Sequence, residues 1–150
     1  MTDMDRYNER ILSILQAEGR IANVELAERV GLSPSACLRR VQELERSGVI
    51  LGYRAVVDRS RVDRAFLAYV AIGLSDHSKA AQIAFEAALA EVPQVREVHN
   101  VTGSVEYLVR VETRDLEAYK VIHNEVLGTI PQVVSITTYV VMGSSKDARG

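Results

Sequence analysis

The sequence predicts an α+β chain in two parts: an N-terminal winged helix-turn-helix domain over residues 1–60 and a C-terminal ferredoxin-like βαββαβ sandwich over residues 61–150. Three observations lead there. The first half carries apolar residues at helical spacing, punctuated by Gly19, Gly31 and Ser47-Gly48. From Ala65 the period changes to that of strands. The strand-like runs and helical runs of the second half then follow the order β-α-β-β-α-β.

Taken in order, Tyr7, Ile11, Ile14 and Leu15 form the inner stripe of a helix from about Asp5 to Ala17. Asn23 reads as the cap of a short second helix with Leu26, Ala27 and Val30 inward, and Gly31 suits the left-handed position at its end. Ser33 caps a third helix, and Pro34 fits its first turn, where a missing N–H costs nothing. Cys37, Leu38, Val41 and Leu44 are its expected inner face. "VILGYRAVVD" follows as a candidate hairpin or wing, and "RSRVDRA" is a polar connector that sets the domain boundary near residue 60. Beyond it, "AFLAYVAIGL", "VREVHNV", "VEYLVRV" and "VVSITTYVVM" are the strands, separated by helices over Ser78 to Glu91 and Asp115 to Leu127. Phe85 and Leu89 face inward in the first of these helices, and Tyr119, Ile122 and Val126 in the second.

Both helices are expected on one side of the sheet, yet the strand from Ala65 to Leu74 is apolar on both sides. The uncovered face therefore suits a second copy, and a symmetric dimer would set two recognition helices against a palindromic duplex.

The net charge of −2 argues against an indiscriminate polyanion binder, but the sum hides a local pattern. From Arg39 to Arg64 seven arginines face only Glu43, Glu45, Asp58 and Asp63, and no lysine occurs before Lys79. Arginine forks onto phosphate or guanine in a way lysine does not. Given the expected inner face, the exposed positions around the third helix are Ser33, Ser35, Ala36, Arg39, Arg40, Gln42, Glu43 and Arg46, with Arg54 beyond its end. Arg39 and Arg40 are placed to reach guanine or phosphate oxygens, while Arg46 and Arg54 position the helix on the backbone. The plain alternative is a solvated Arg39–Glu43 ion pair at helical spacing. The capped, turned and re-entered helix favours double-stranded DNA as partner.

"RIANVELAERVGLSPSACLRRVQELERSGVILGYRAVVD", then "VTGSVEYLVRV" and "TTYVVM", resemble the Lrp/AsnC family, the feast/famine transcriptional regulators. The resemblance runs from "MDRYNERIL" to Met142. It implies a DNA-binding regulator with a linker strand and a C-terminal domain that dimerises and builds tetramers or octamers. It also implies an amino-acid effector near the loop between the second and third strands of the sheet, and genes of amino-acid metabolism as targets. On that basis His99, Thr102, Gly103, Ser104, Glu106 and Tyr107 are the effector-binding candidates. Where the family usually has Gly-Asp-x-Asp-Tyr, this chain has Gly103, Ser104, Val105, Glu106 and Tyr107; the first acid is gone and Glu106 is left to answer an ammonium. Asn8 stands where an aspartate is usual, a change expected to alter only local capping.

No cofactor, metal or catalytic constellation is expected. His77, His99 and His123 are scattered, one cysteine cannot supply a thiolate set, and neither a phosphate loop nor a nucleophile elbow occurs. The start, "MTDMDRYNER", is not that of a signal peptide, no run is long enough to span a bilayer, and Cys37 alone suits a reducing cytoplasm. Two alternatives remain at this point: a haem-pathway decarboxylase-like enzyme, which resembles the same family but needs no groove-reading arginines, and a helix-turn-helix that docks protein.

Overall fold

The computed structural model describes residues 3–148, so the first two and last two residues of the two expected domains lie outside it. The chain divides between Val56 and Val57 into two compact units, a few residues before the connector chosen from sequence.

The first unit is three helices: α1 (Arg6–Ala17), α2 (Asn23–Val30) and α3 (Pro34–Arg46). Ile11, Leu26, Ala27, Val30, Cys37 and Leu44 close its core, with Leu12, Ile14, Leu15 and Val41 half-buried around them. Asp5 caps α1 by accepting the Asn8 N–H at 2.9 Å. Gly31 ends α2 in the left-handed region, φ 79°, and the N–H groups of Gly31 and Leu32 both donate to the Ala27 carbonyl at 2.9 Å. Ser33 then caps α3, its hydroxyl accepting the Ala36 N–H at 3.2 Å. This is the helix-turn-helix read from the sequence.

Three expectations fail here. Asn23 is not the cap of α2; it lies inside the helix behind Ala22, and its side-chain amide instead donates to the Pro34 carbonyl at 2.8 Å, tying α2 to the start of α3. Leu38 is not an inner residue. At 45% exposure it follows Cys37 around the helix past the edge of a core already filled by Cys37 and Leu44. The hairpin or wing does not form: residues 51–58 contain no strand, and Leu51 is 96% exposed. A two-stranded ribbon has too little to bury by itself, so β propensity alone does not build one. The stretch is held locally, with the Ile50 N–H on the Leu44 carbonyl and the Tyr53 hydroxyl on Glu45; burial and then Glu45 push the Tyr53 pKa up to about 12.

The second unit opens with a 3-10 turn, Arg59–Val62, capped by Asp58. Its four strands are β1 (Phe66–Leu74), β2 (Val95–Asn100), β3 (Tyr107–Thr113) and β4 (Val133–Val140), all paired antiparallel in the order β2-β3-β1-β4. Helices α4 (Lys79–Ala90) and α5 (Leu116–Val121) complete the βαββαβ order. Ala68, Val70, Ile72, Tyr107, Val109 and Val111 of the sheet pack with Phe85, Leu89, Tyr119, Ile122 and Leu127 in one core. The second helix is not regular as far as Leu127: after Val121 its ladder widens to a π turn, Ile122–Val126, and tightens to a 3-10 turn, Leu127–Thr129. Thr129 donates its hydroxyl to the carbonyls of Glu125 and Val126, satisfying groups that a regular helix would have bonded onward.

Period-2 alternation puts Leu67, Tyr69 and Ala71 on the sheet face away from the core, as expected. That face is not wholly apolar, because Arg110 lies opposite Tyr69 and Glu112 opposite Leu67. Both are buried, with Arg110 donating to Glu112 at 3.0 Å and to the Tyr69 hydroxyl at 2.7 Å while lying 5.5 Å from the centroid of that ring.

The placement of Leu44 and Leu38 predicts a contrast that the sequence does not. Leu44→Ala should cost about 2–5 kcal/mol, as for a filled core position, and Leu38→Ala under about 1 kcal/mol. Urea titrations followed by circular dichroism decide it, and equal losses would refute the assigned faces of α3.

Candidate nucleic-acid interface and effector loop

Helix α3 presents Ser35, Arg39, Gln42 and Arg46 to solvent, with Ala36 and Glu43 half-exposed beside them. Their starting point is set by Gly31 and Ser33, so the N-terminal turn of α3 faces outward with Ser35, whose hydroxyl lies 3.3 Å from that of Ser33. Arg39, Gln42, Glu43 and Arg46 border one concavity of about 640 Å³ together with Arg40, Asn8 and Asp3. Ser33, Ser35, Ala36 and Arg54 lie outside that border, and Arg54 is exposed in the stretch without helix or strand.

The two adjacent arginines of α3 have different jobs. Among the described residues Arg39 has no hydrogen-bond or ion-pair partner, so its guanidinium is available to an incoming anion. Arg40, expected to face outward, is half-buried and turned onto α1. One of its Nη groups lies 2.8 and 3.0 Å from the Asp5 carboxylate oxygens and 3.2 Å from the Asn8 side-chain oxygen, and its guanidinium sits 5.1 Å from the Tyr7 ring centroid. One residue's advance around a helix turns the side chain by about 100°, enough to carry it from the open face to the neighbouring helix. Asn8 is thus more than a capping change: it is buried and accepts from Arg40. Sequence reading missed Asp5 as the arginine's partner because the two lie 35 positions apart and share no local period. The Asn8 backbone N–H, and after it Arg40, hold the Asp5 carboxyl below its ordinary pKa.

Arg46 is exposed but not free. Its Nε and one Nη donate to the two carboxylate oxygens of Glu43 at 2.9 and 2.6 Å, which lowers the Glu43 pKa and raises that of Arg46. Glu43 stands four residues from Arg39, yet its ion pair is with Arg46.

In the second unit the loop from Val101 to Glu106 joins β2 to β3, closed by the Val101 N–H on the Glu106 carbonyl at 2.9 Å. Thr102, Gly103 and Ser104 are exposed, and Gly103 has φ 127°, a conformation that side chains rarely adopt. The N–H groups of Gly103 and Ser104 have no partner among the described residues. His99 is exposed on β2 opposite Leu108. The other two candidates are placed differently from expectation. Glu106, expected to be open to an ammonium, accepts the Leu74 N–H at 2.6 Å with one carboxylate oxygen and lies 3.0 Å from His77 with the other. Tyr107 points into the core on Phe85 and donates to Glu86 at 2.7 Å; burial and then Glu86 push its pKa up to about 12. Among the described residues no group of three His, Cys, Asp or Glu is placed to hold a metal, and no helix is long and apolar enough to cross a membrane.

The family model for a winged helix-turn-helix DNA-binding domain matches residues 4–50, and that for the Lrp/AsnC ligand binding domain matches residues 67–150. A chain that joins these two units is a DNA-binding transcriptional regulator rather than an enzyme, which removes the decarboxylase reading. It belongs to the Lrp/AsnC family. It is similar to the leucine-responsive regulatory protein of Salmonella typhimurium, at 40% identity over 97% of this chain and 89% of the relative. Among solved structures it is similar to a transcriptional regulator from Neisseria meningitidis in complex with L-methionine, with 31% identity, a TM-score of 0.92 and coverage of 97% and 94% of the two chains. A feast or famine regulatory protein of M. tuberculosis complexed with L-methionine matches at 28% identity and a TM-score of 0.88, covering 99% of this chain and 98% of that one.

The Asp5–Arg40 contact has a pH signature. A carboxyl whose pKa is depressed on folding adds stability that is present above its unfolded value of about 3.9 and is lost as pH falls through the lower folded value. Asp5→Asn should lower the melting temperature at neutral pH and make the loss of stability below about pH 4 shallower than in the parent chain. Arg40→Ala should lower melting more than Arg39→Ala does. Thermal melts between neutral and acid pH check both, and an Arg40→Ala chain as stable as Arg39→Ala would mean that the pin is idle.

Proposed function

We propose that this regulator acts in the cytoplasm as a homodimer, or as a tetramer or octamer built from dimers, reading duplex DNA with α3. A small apolar amino acid at the β2–β3 loop modulates it. The observation that carries the DNA reading is the unpaired outward guanidinium of Arg39, in one stripe with Ser35 and Gln42 on a helix whose start is set by Gly31 and Ser33. Ser35 takes a phosphate at the start of the helix, Arg39 and Gln42 meet base edges, and Arg46 and Arg54 serve the backbone. Arg40 holds α3 in place instead of contacting DNA.

For the effector, the free N–H groups of Gly103 and Ser104 suit a carboxylate, and His99 and Thr102 border the same loop. Glu106 fixes the loop to the end of β1 and does not meet the ligand. The L-methionine bound by two related regulators supports an amino acid as ligand. The apolar surface left open on the sheet face of Tyr69, with Leu108 39% and Tyr139 of β4 60% exposed, supports the dimer.

Mobility shifts with a duplex recovered from a randomised pool by the parent chain test the first part. Arg39→Ala should weaken binding about tenfold with melting unchanged, and unaltered affinity would overturn the role of α3. Calorimetric titration with L-methionine and L-leucine tests the second. Binding should appear with at least one of them and be lost in Gly103→Val, whose side chain cannot keep the loop's backbone; no heat with either would end the proposal of an apolar amino acid.

A further inference from the structure

Glu43 is the acidic residue of α3 that borders the concavity beside the proposed DNA-reading stripe, and the structure gives it a chemical task. It lies on α3 between Arg39 and Arg46 and borders the same concavity as both. Its two oxygens take the Nε and Nη edge of Arg46 in a bidentate fork, at 2.9 and 2.6 Å. That is the edge and the geometry by which a guanidinium takes a phosphate. A phosphate and Glu43 therefore compete for one set of donors. A duplex that wins Arg46 leaves a bare carboxylate against its own backbone charge, unless a base edge supplies a donor. In the major groove those donors are the amino groups of cytosine and adenine.

We propose that Glu43 is a specificity-determining residue. It withholds Arg46 from phosphates on arbitrary DNA and releases it where a base amino group receives the carboxylate. The inference rests on the DNA reading by α3. A penalty on wrong sequences raises selectivity without tightening the right complex. Because the pair is exposed, the penalty is modest, and its effect lies in the ratio of affinities more than in either alone.

Two probes separate the effects: a mixed-sequence duplex and the tightest duplex that the parent chain recovers from a randomised pool. With Glu43→Gln, affinity for the mixed-sequence duplex should rise about 5-fold, the size of an exposed charge pair. Affinity for the recovered duplex should stay level or fall, so that selectivity drops about 5-fold or more. Glu43→Ala should lower selectivity in the same sense. In an Arg46→Ala background, Glu43→Gln should bring no gain on mixed sequence, because the donor it would free is gone. Glu28→Gln, which removes the same charge from α2, should leave selectivity unaltered.

If Glu43→Gln shifts both duplexes by one factor, Glu43 acts only through net charge and the proposal falls. It falls also if neither affinity moves, or if the gain persists without Arg46. A parent chain that recovers no preferred duplex and binds without salt dependence would overturn the DNA reading itself and this inference with it. Selective, salt-dependent binding by the parent together with an unaltered Glu43→Gln would overturn this inference alone.

Discussion

The proposed DNA-reading face of this regulator depends on one contact, the Arg40 guanidinium on the Asp5 carboxylate and the Asn8 side chain. It joins α3 to the N-terminal turn of α1, where Asp5 is already engaged as a cap. A capping carboxylate is held in place by the backbone it caps, so the arginine meets a preordered acceptor and loses less freedom in reaching it. With Arg40 turned inward and Leu44 and Cys37 in the core, the rotation of α3 about its axis is set, and Arg39, Gln42 and Arg46 are left outward as a consequence.

The outward face is not a plain cationic stripe. Of the three arginines of α3, one is unpaired among the described residues, one is committed to the fold and one is shared with a neighbouring carboxylate. A face with three free guanidinium groups would bind any duplex through its phosphates, since that term carries no sequence information. Distributing the arginines among these three states limits the nonspecific term while leaving polar groups for base edges. The near-neutral net charge of the whole chain suits the same end.

In the second unit the polar residues are used in the same economical way. Glu106, which from its place in the loop looks free for a ligand, ties the loop to the end of β1, and Arg110 and Glu112 neutralise each other on the sheet face away from the helices. What remains open at the loop is backbone, the N–H groups that follow Thr102, positioned by the left-handed Gly103. On the proposed reading a ligand held by these backbone groups would be little affected by which side chain occupies position 104, which lessens the consequence of having Ser104 in place of an acid.

By itself the sequence determined the first four helices and their stops, the βαββαβ order, the core positions Ile11, Leu26, Phe85 and Leu89, and the family. The elements and the core positions follow from periodicity and from residues such as Gly31, Ser33 and Pro34 that act on their immediate neighbours; the family follows from the likeness of whole motifs. Tertiary structure alone decided that Arg39 is free and Arg40 is not, that Leu38 is outside, that residues 51–58 stay without strands, and that Glu106 is already occupied. Each of these turns on a partner distant in sequence or on apolar surface that must be buried elsewhere. Local propensity has no term for either: a helical period says which residues share a face, and only the packed neighbour says what that face meets.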